Sequence, residues 1–142
     1  MSDDHKVEVD PINISFARAM EVVTWAGVAV LLVFGLIYMF GVSTFVDMKQ
    51  AVAHWGEPAG DFWESVSGTG VHGYGWFLSR LSKMDAISMV GICVLGLAPL
   101  AAILAALKRS ARDRAYLIIF LILAVEFIFA VIRPLIMGGG GE

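Results

Sequence analysis

The sequence predicts an all-α integral membrane protein with three transmembrane helices, its N-terminus cytoplasmic, and short amphipathic helices in a long extracytoplasmic loop. Three observations predict it. Of the 142 residues, 58% are hydrophobic, more than an ordinary soluble domain carries. Those residues gather into three runs, each about the ~20 residues of helix needed to cross a hydrocarbon core of ~30 Å. Two of the runs are joined by one short, strongly basic turn, KRSARDR, from Lys108 to Arg114. The chain, residues 1–142, is read as one multi-pass domain of the cell (inner) membrane. Its net charge of -3 is small and divided among solvent segments, so no nucleic-acid partner is implied.

The first run, Val22 to Val42, follows an acidic, polar leader from Ser2 to Asp10. A cleavable signal peptide would begin with a basic segment and end in small residues, so this run reads as an uncleaved span. Ser15 and the pair Asp10-Pro11 are alternative helix starts. The second run is Ala86 to Leu107 and the third is Ala115 to Ile132. Lys108, Arg109, Arg112 and Arg114, offset only by Asp113, place the turn between them in the cytoplasm by the positive-inside rule. Alternation then puts the N-terminus inside and both the segment 43–85 and the C-terminal MGGGGE outside.

The outer segment is too long for a plain connection. Phe45, Met48, Val52 and Trp55 recur at helical spacing, predicting an amphipathic helix that Gly56-Glu57-Pro58 stops. A second amphipathic segment is expected over Trp76 to Met84, with Asp85 as the cap of the second span. Trp55, Trp63, Tyr74 and Trp76 suit the headgroup region.

Few residues offer chemistry. Glu126 lies well inside the third run, where a charged side chain costs at least ~2.5 kcal/mol and therefore needs a partner or a proton. It is the candidate polar or proton-linked residue. Arg133, seven residues on, is expected to snorkel to the outer interface. Pro99 interrupts the second run and removes one helical hydrogen bond. Around it Ala98, Ala102 and Ala106 repeat every four residues and form, with Pro99, a candidate helix-packing face, whose partner is the third span, a second copy or a larger protein. His54 and His72 fall into no recognised ligand spacing with the nearby carboxylates, and solvated histidines are the simpler reading. The single cysteine, Cys93, excludes a disulfide framework and a Cys-based zinc site. The run Gly68 to Gly73 matches GxGxxG in letters only, because it lacks the strand and helix that motif requires. No cofactor or metal site and no catalytic series is predicted, and the protein is not expected to be an enzyme.

The second and third spans together resemble a family of small three-span bacterial and archaeal membrane proteins of unknown function. The resemblance rests on GICVLGLAPLAAILAALKR, with its Gly-x-x-x-Leu-Gly-x-x-Pro character, followed by a charged turn ending Asp113-Arg114-Ala115-Tyr116 and a further apolar helix. It implies an accessory subunit of an anion permease, since such proteins are often encoded beside sulfite- or sulfonate-exporter-type permeases. The leading expectation is thus a non-catalytic accessory or scaffold subunit in the bilayer, bound to a larger polytopic membrane protein. The alternatives are an accessory subunit of a respiratory or redox complex, packed beside a neighbour's quinone or haem, and a homo-oligomeric channel or transporter that uses Glu126.

Overall fold

Asp10 starts the first helix. Its carboxylate accepts a hydrogen bond from the Ile12 amide at 2.8 Å, and Pro11 takes the first helical position, where no N–H is needed. Ser15 instead donates its hydroxyl to the Pro11 carbonyl, so the earlier of the two starts is used. The structure, a computed structural model, describes residues 9–68, 70–71 and 73–137. The leader as far as Glu8, Thr69, His72 and the glycine-rich end from Gly138 lie outside the described residues.

The elements are α1 (Pro11–Met39), α2 (Met48–Ala53), α3 (Ala59–Ser67), α4 (Gly75–Leu78), α5 (Met84–Arg109) and α6 (Arg114–Met137), with a 3₁₀ turn at Ser110–Arg112 between the last two. Three of them, α1, α5 and α6, are long and apolar enough to cross a membrane. At 29 residues α1 is about 44 Å long, so it outreaches a ~30 Å core and either tilts or projects. The first span begins well before its apolar run because the Asp10 cap, not the apolar residues, sets where the helix starts.

The first span does not extend outward as a helix. It closes at Phe40, whose amide bonds back to the Leu36 and Ile37 carbonyls, and Gly41 follows at φ +74°, a backbone conformation glycine adopts without a Cβ penalty. The outer segment then leaves and returns through a narrow neck. The Met84 amide donates to the Ser43 carbonyl at 3.0 Å, and the Ser43 hydroxyl donates to the Ser82 carbonyl at 3.2 Å.

Within that segment the amphipathic stretches are shorter than their periodicity predicts. The helix expected from Phe45 to Trp55 is confined to α2, whose cap is Asp47, with its carboxylate accepting from the Lys49 amide at 2.8 Å. The second stretch forms only the single turn α4, followed by tight turns to Lys83. Helix α3 was not anticipated. Pro58 precedes its first residue, Asp61 sits favourably in its first turn, and Gly68 ends it at φ +68°. Gly68 to Gly73 therefore follows a helix, and among the described residues no strand occurs.

Helices α1 and α5 run antiparallel and share by far the largest contact; α6 joins α5 through a much smaller one. The contact between α1 and α5 is a backbone approach. A Cβ added at Gly91 would stand 2.7 Å from the Leu31 nitrogen and 2.9 Å from the Gly27 carbonyl oxygen. One added at Gly27 would stand 2.8 Å from Leu95 Cγ and 3.0 Å from the Gly91 carbonyl oxygen. Lipid tails are as apolar as leucine, so burial from water does not hold such a pair together. Close packing of small residues does.

Candidate functional site on the third helix

Helix α6 touches α5 along one strip. Leu117, Phe120, Ala124, Phe127 and Val131 are its more sheltered positions, spaced by three and four residues, and Ala124 is buried. The rest of the helix is bare, with Ile118, Ile122, Val125 and Phe129 all exposed.

Glu126 belongs to the bare side. It is exposed, and two residues of helix place it about 200° around the axis from Ala124. Twelve residues from Arg114 put it about 18 Å along a helix of about 36 Å, close to mid-span. No hydrogen bond or ion pair joins it to another described residue. An acid at mid-span thus points away from its own chain, toward lipid or toward another protein.

The alanine face lies elsewhere and is already covered. Ala98, Ala102 and Ala106 are buried. They lie within about 60° of Gly91 around α5, on the side that meets α1. Their partner is the first span, which was not among the three partners weighed from the sequence. A larger protein could not reach this face without displacing α1. Pro99, beside it, is half-buried, and α5 runs through it without a break.

The end of the molecule beyond the neck is organised by Asp85. The sequence suggested a cap for the second span, but the N-cap position is Lys83, and Asp85 is the second residue of the helix. Its buried carboxylate accepts from the Phe45 amide at 3.0 and 3.1 Å, from the Val46 amide at 2.8 Å and from the Ala86 amide at 3.0 Å. It therefore clamps the start of the outer segment onto α5. Above the clamp Trp76 packs against Trp63, with ring centres 4.8 Å apart, and against Phe45 and Phe77. The Arg80 guanidinium lies over the Phe45 ring at 4.2 Å. Trp63 and Trp76 are thus partly sheltered in a cluster, whereas Trp55 is 80% exposed.

His54 stands apart from this cluster. Its Nδ1 is 2.8 Å from Glu57 Oε1, and this hydrogen bond holds the Glu57 carboxyl below its ordinary range. Among the described residues no three His, Cys, Asp or Glu side chains converge as metal ligands. His72 lies outside the described residues.

The basic turn is compact. Ser110 is buried and donates its hydroxyl to the Ala106 carbonyl at 2.7 Å, while Lys108, Arg109, Arg112 and Arg114 are all exposed. Asp113 does more than offset their charge. Its carboxylate accepts from the Ala115 amide at 3.0 Å and the Tyr116 amide at 3.4 Å, so it caps α6.

Two features escaped the sequence reading. The Gly27–Gly91 approach carried one weak signal, a glycine early in each apolar run, but each run holds other glycines and nothing local singles these two out. The other is the clamp role of Asp85, which the sequence marked only as a cap, an acid at the edge of an apolar run.

The family model described as AF1633-like membrane protein matches residues 1–139. Two proteins of Archaeoglobus fulgidus, both described as uncharacterized, are similar over nearly the whole chain. One is 34% identical over 135 residues, covering 95% of this chain and 58% of its own length. The other is 32% identical over 136 residues, covering 96% of this chain and 98% of its own. The chain thus spans little more than half of the first relative. No solved structure matches.

Proposed function

This chain belongs to the AF1633-like membrane protein family, and we propose that it is a non-catalytic accessory subunit that docks on a larger polytopic membrane protein through the bare side of α6. One observation carries the reading: Glu126 is exposed near mid-span with no partner among the described residues. A carboxylate there costs at least ~2.5 kcal/mol against lipid, and even a protonated acid leaves a donor unsatisfied. A neighbouring protein removes that cost with a donor for the carboxylate or an acceptor for the protonated acid. The small attachment of α6 to α5 supports the same reading, because it leaves most of an apolar helix available.

The basic turn supports an orientation with Lys108 to Arg114 in the cytoplasm and the clamped segment outside. The partner class we propose is an anion permease, in keeping with the family resemblance of the second and third spans. Purification in mild detergent, followed by mass spectrometry of what accompanies the chain, tests the proposal. A colourless complex with a polytopic carrier, weakened in Glu126→Leu, is the expected result. A complex with haem or iron–sulfur absorption overturns the permease assignment in favour of a redox assembly. An assembly of this chain alone, with ion flux in liposomes that Glu126→Gln abolishes, overturns the accessory role.

A further inference from the structure

At the basic end of the molecule, the start of α1 and the turn after α5 border an open recess of about 560 Å³. Its wall includes Asp10, Pro11, Lys108, Arg109, Arg112 and Asp113. The two carboxylates are engaged locally, Asp10 with the Ile12 amide and Asp113 with the Ala115 and Tyr116 amides. The three cations are exposed, and none is in an ion pair with a described residue. Three long basic side chains therefore line one concavity against two carboxylates, a net positive wall in which no cation is paired with a described carboxylate. Arg114, the fourth cation of the turn, is not part of the wall.

We infer that this recess binds the phosphate of an anionic phospholipid headgroup. The chemistry required is that of a phosphate-bearing anion, which Lys and Arg recognise by charge-assisted hydrogen bonds. Position selects the lipid as its source. The recess lies where apolar α1, α5 and α6 begin or end, so the acyl chains of a bound lipid run directly onto helix surface. Basic recesses between spans at a membrane face are the setting in which anionic headgroups are held. The inference is independent of what docks on α6.

The test separates a site from diffuse positive charge. Full-length protein in neutral detergent is titrated with dioctanoyl-phosphatidylglycerol and with dioctanoyl-phosphatidylcholine, and bound lipid is counted by native mass spectrometry. One phosphatidylglycerol is expected to bind at least tenfold more tightly than phosphatidylcholine. Arg112→Gln is expected to weaken it about fivefold, Arg109→Gln/Arg112→Gln about 25-fold, and Arg114→Gln hardly at all. Arg112→Lys keeps the charge and retains most of the binding. Equal affinity for the two lipids, or equal losses in Arg114→Gln and Arg112→Gln, overturns the site. Displacement of phosphatidylglycerol by millimolar inorganic phosphate assigns the recess to a free anion and overturns the lipid assignment. A fold check accompanies each variant: unchanged elution and thermal unfolding attribute a loss to the recess.

Discussion

Helices α1 and α6 both pack on α5, and they do so in opposite ways. α1 brings its backbone against that of α5 at Gly27 and Gly91, next to a face of buried alanines. α6 lays one strip of mostly large side chains on α5, with Ala124 at its centre, and leaves most of its surface, Glu126 included, uncovered. The difference separates what holds this chain together from what it has to offer. Small residues secure the α1–α5 pair and are unavailable to anything else. The third helix is apolar enough to cross the membrane yet carries an acid that no other described residue satisfies.

The sharpest way to break that contrast is to put a methyl group where the backbones meet. Gly91→Ala places a Cβ within 2.7 Å of the Leu31 nitrogen, a backbone atom that cannot step aside. Thermal unfolding in detergent should show a loss of about 3 kcal/mol, at the upper end of overpacking costs. Gly96→Ala, one and a half turns along the same helix with nothing within 4 Å of the added carbon, should be neutral or stabilising by up to ~1 kcal/mol. Equal losses in the two variants would mean that α1 and α5 do not touch where described.

The clamp comes next. Asp85→Ala removes a buried acceptor and strands the Phe45 and Val46 amides, at a cost of about 2 kcal/mol. Faster hydrogen exchange at those two amides and a shift in Trp76 fluorescence should accompany it, with the α1–α5 contact intact. On the third helix the expected signature reverses. Glu126→Leu should leave the isolated chain as stable as before or more so, while weakening association with a partner about 3- to 30-fold, the equivalent of ~0.6–2 kcal/mol for a polar contact between spans. A stability loss without an association loss would place Glu126 in the fold rather than at an interface.

The smallest effect concerns His54 and Glu57. The hydrogen bond from His54 lowers the Glu57 carboxyl from its ordinary 4.5, so the stabilisation is present above that value. It disappears as pH falls through the lowered folded value. Both side chains are exposed, so a thermal-shift profile of His54→Ala should differ from the parent only slightly, and only where Glu57 is ionised.

Hydropathy and charge made the three spans and the basic turn legible, since both properties are local to the residues that carry them. The start at Asp10-Pro11 was legible as one of two capping signals. Beyond that, what the sequence left hidden is tertiary. Asp85 stands where a cap would stand, and only the return of the chain to residues 45 and 46 converts it into a clamp. The alanines around Pro99 were visible as a packing face, but composition does not say which helix fills it. α3 carries a strong amphipathic pattern in nine residues, and the glycines and proline around it masked that pattern as loop. Glu126 was conspicuous from the start because the cost of an acid in hydrocarbon does not depend on context. Which way it points does.

The neck formed by Ser43, Ser82, Met84 and Asp85 makes the outer segment separable in an engineering sense. The chain departs from and re-enters the bundle at one spot, so the spacing of the spans does not depend on how much polypeptide is stored beyond it. Each doubling of such an excursion adds only ~0.6 kcal/mol of closure entropy. A reporter inserted between Trp55 and Pro58 would therefore ride on the molecule's end, leaving the helix pair undisturbed and the bare flank of the third span open to assay.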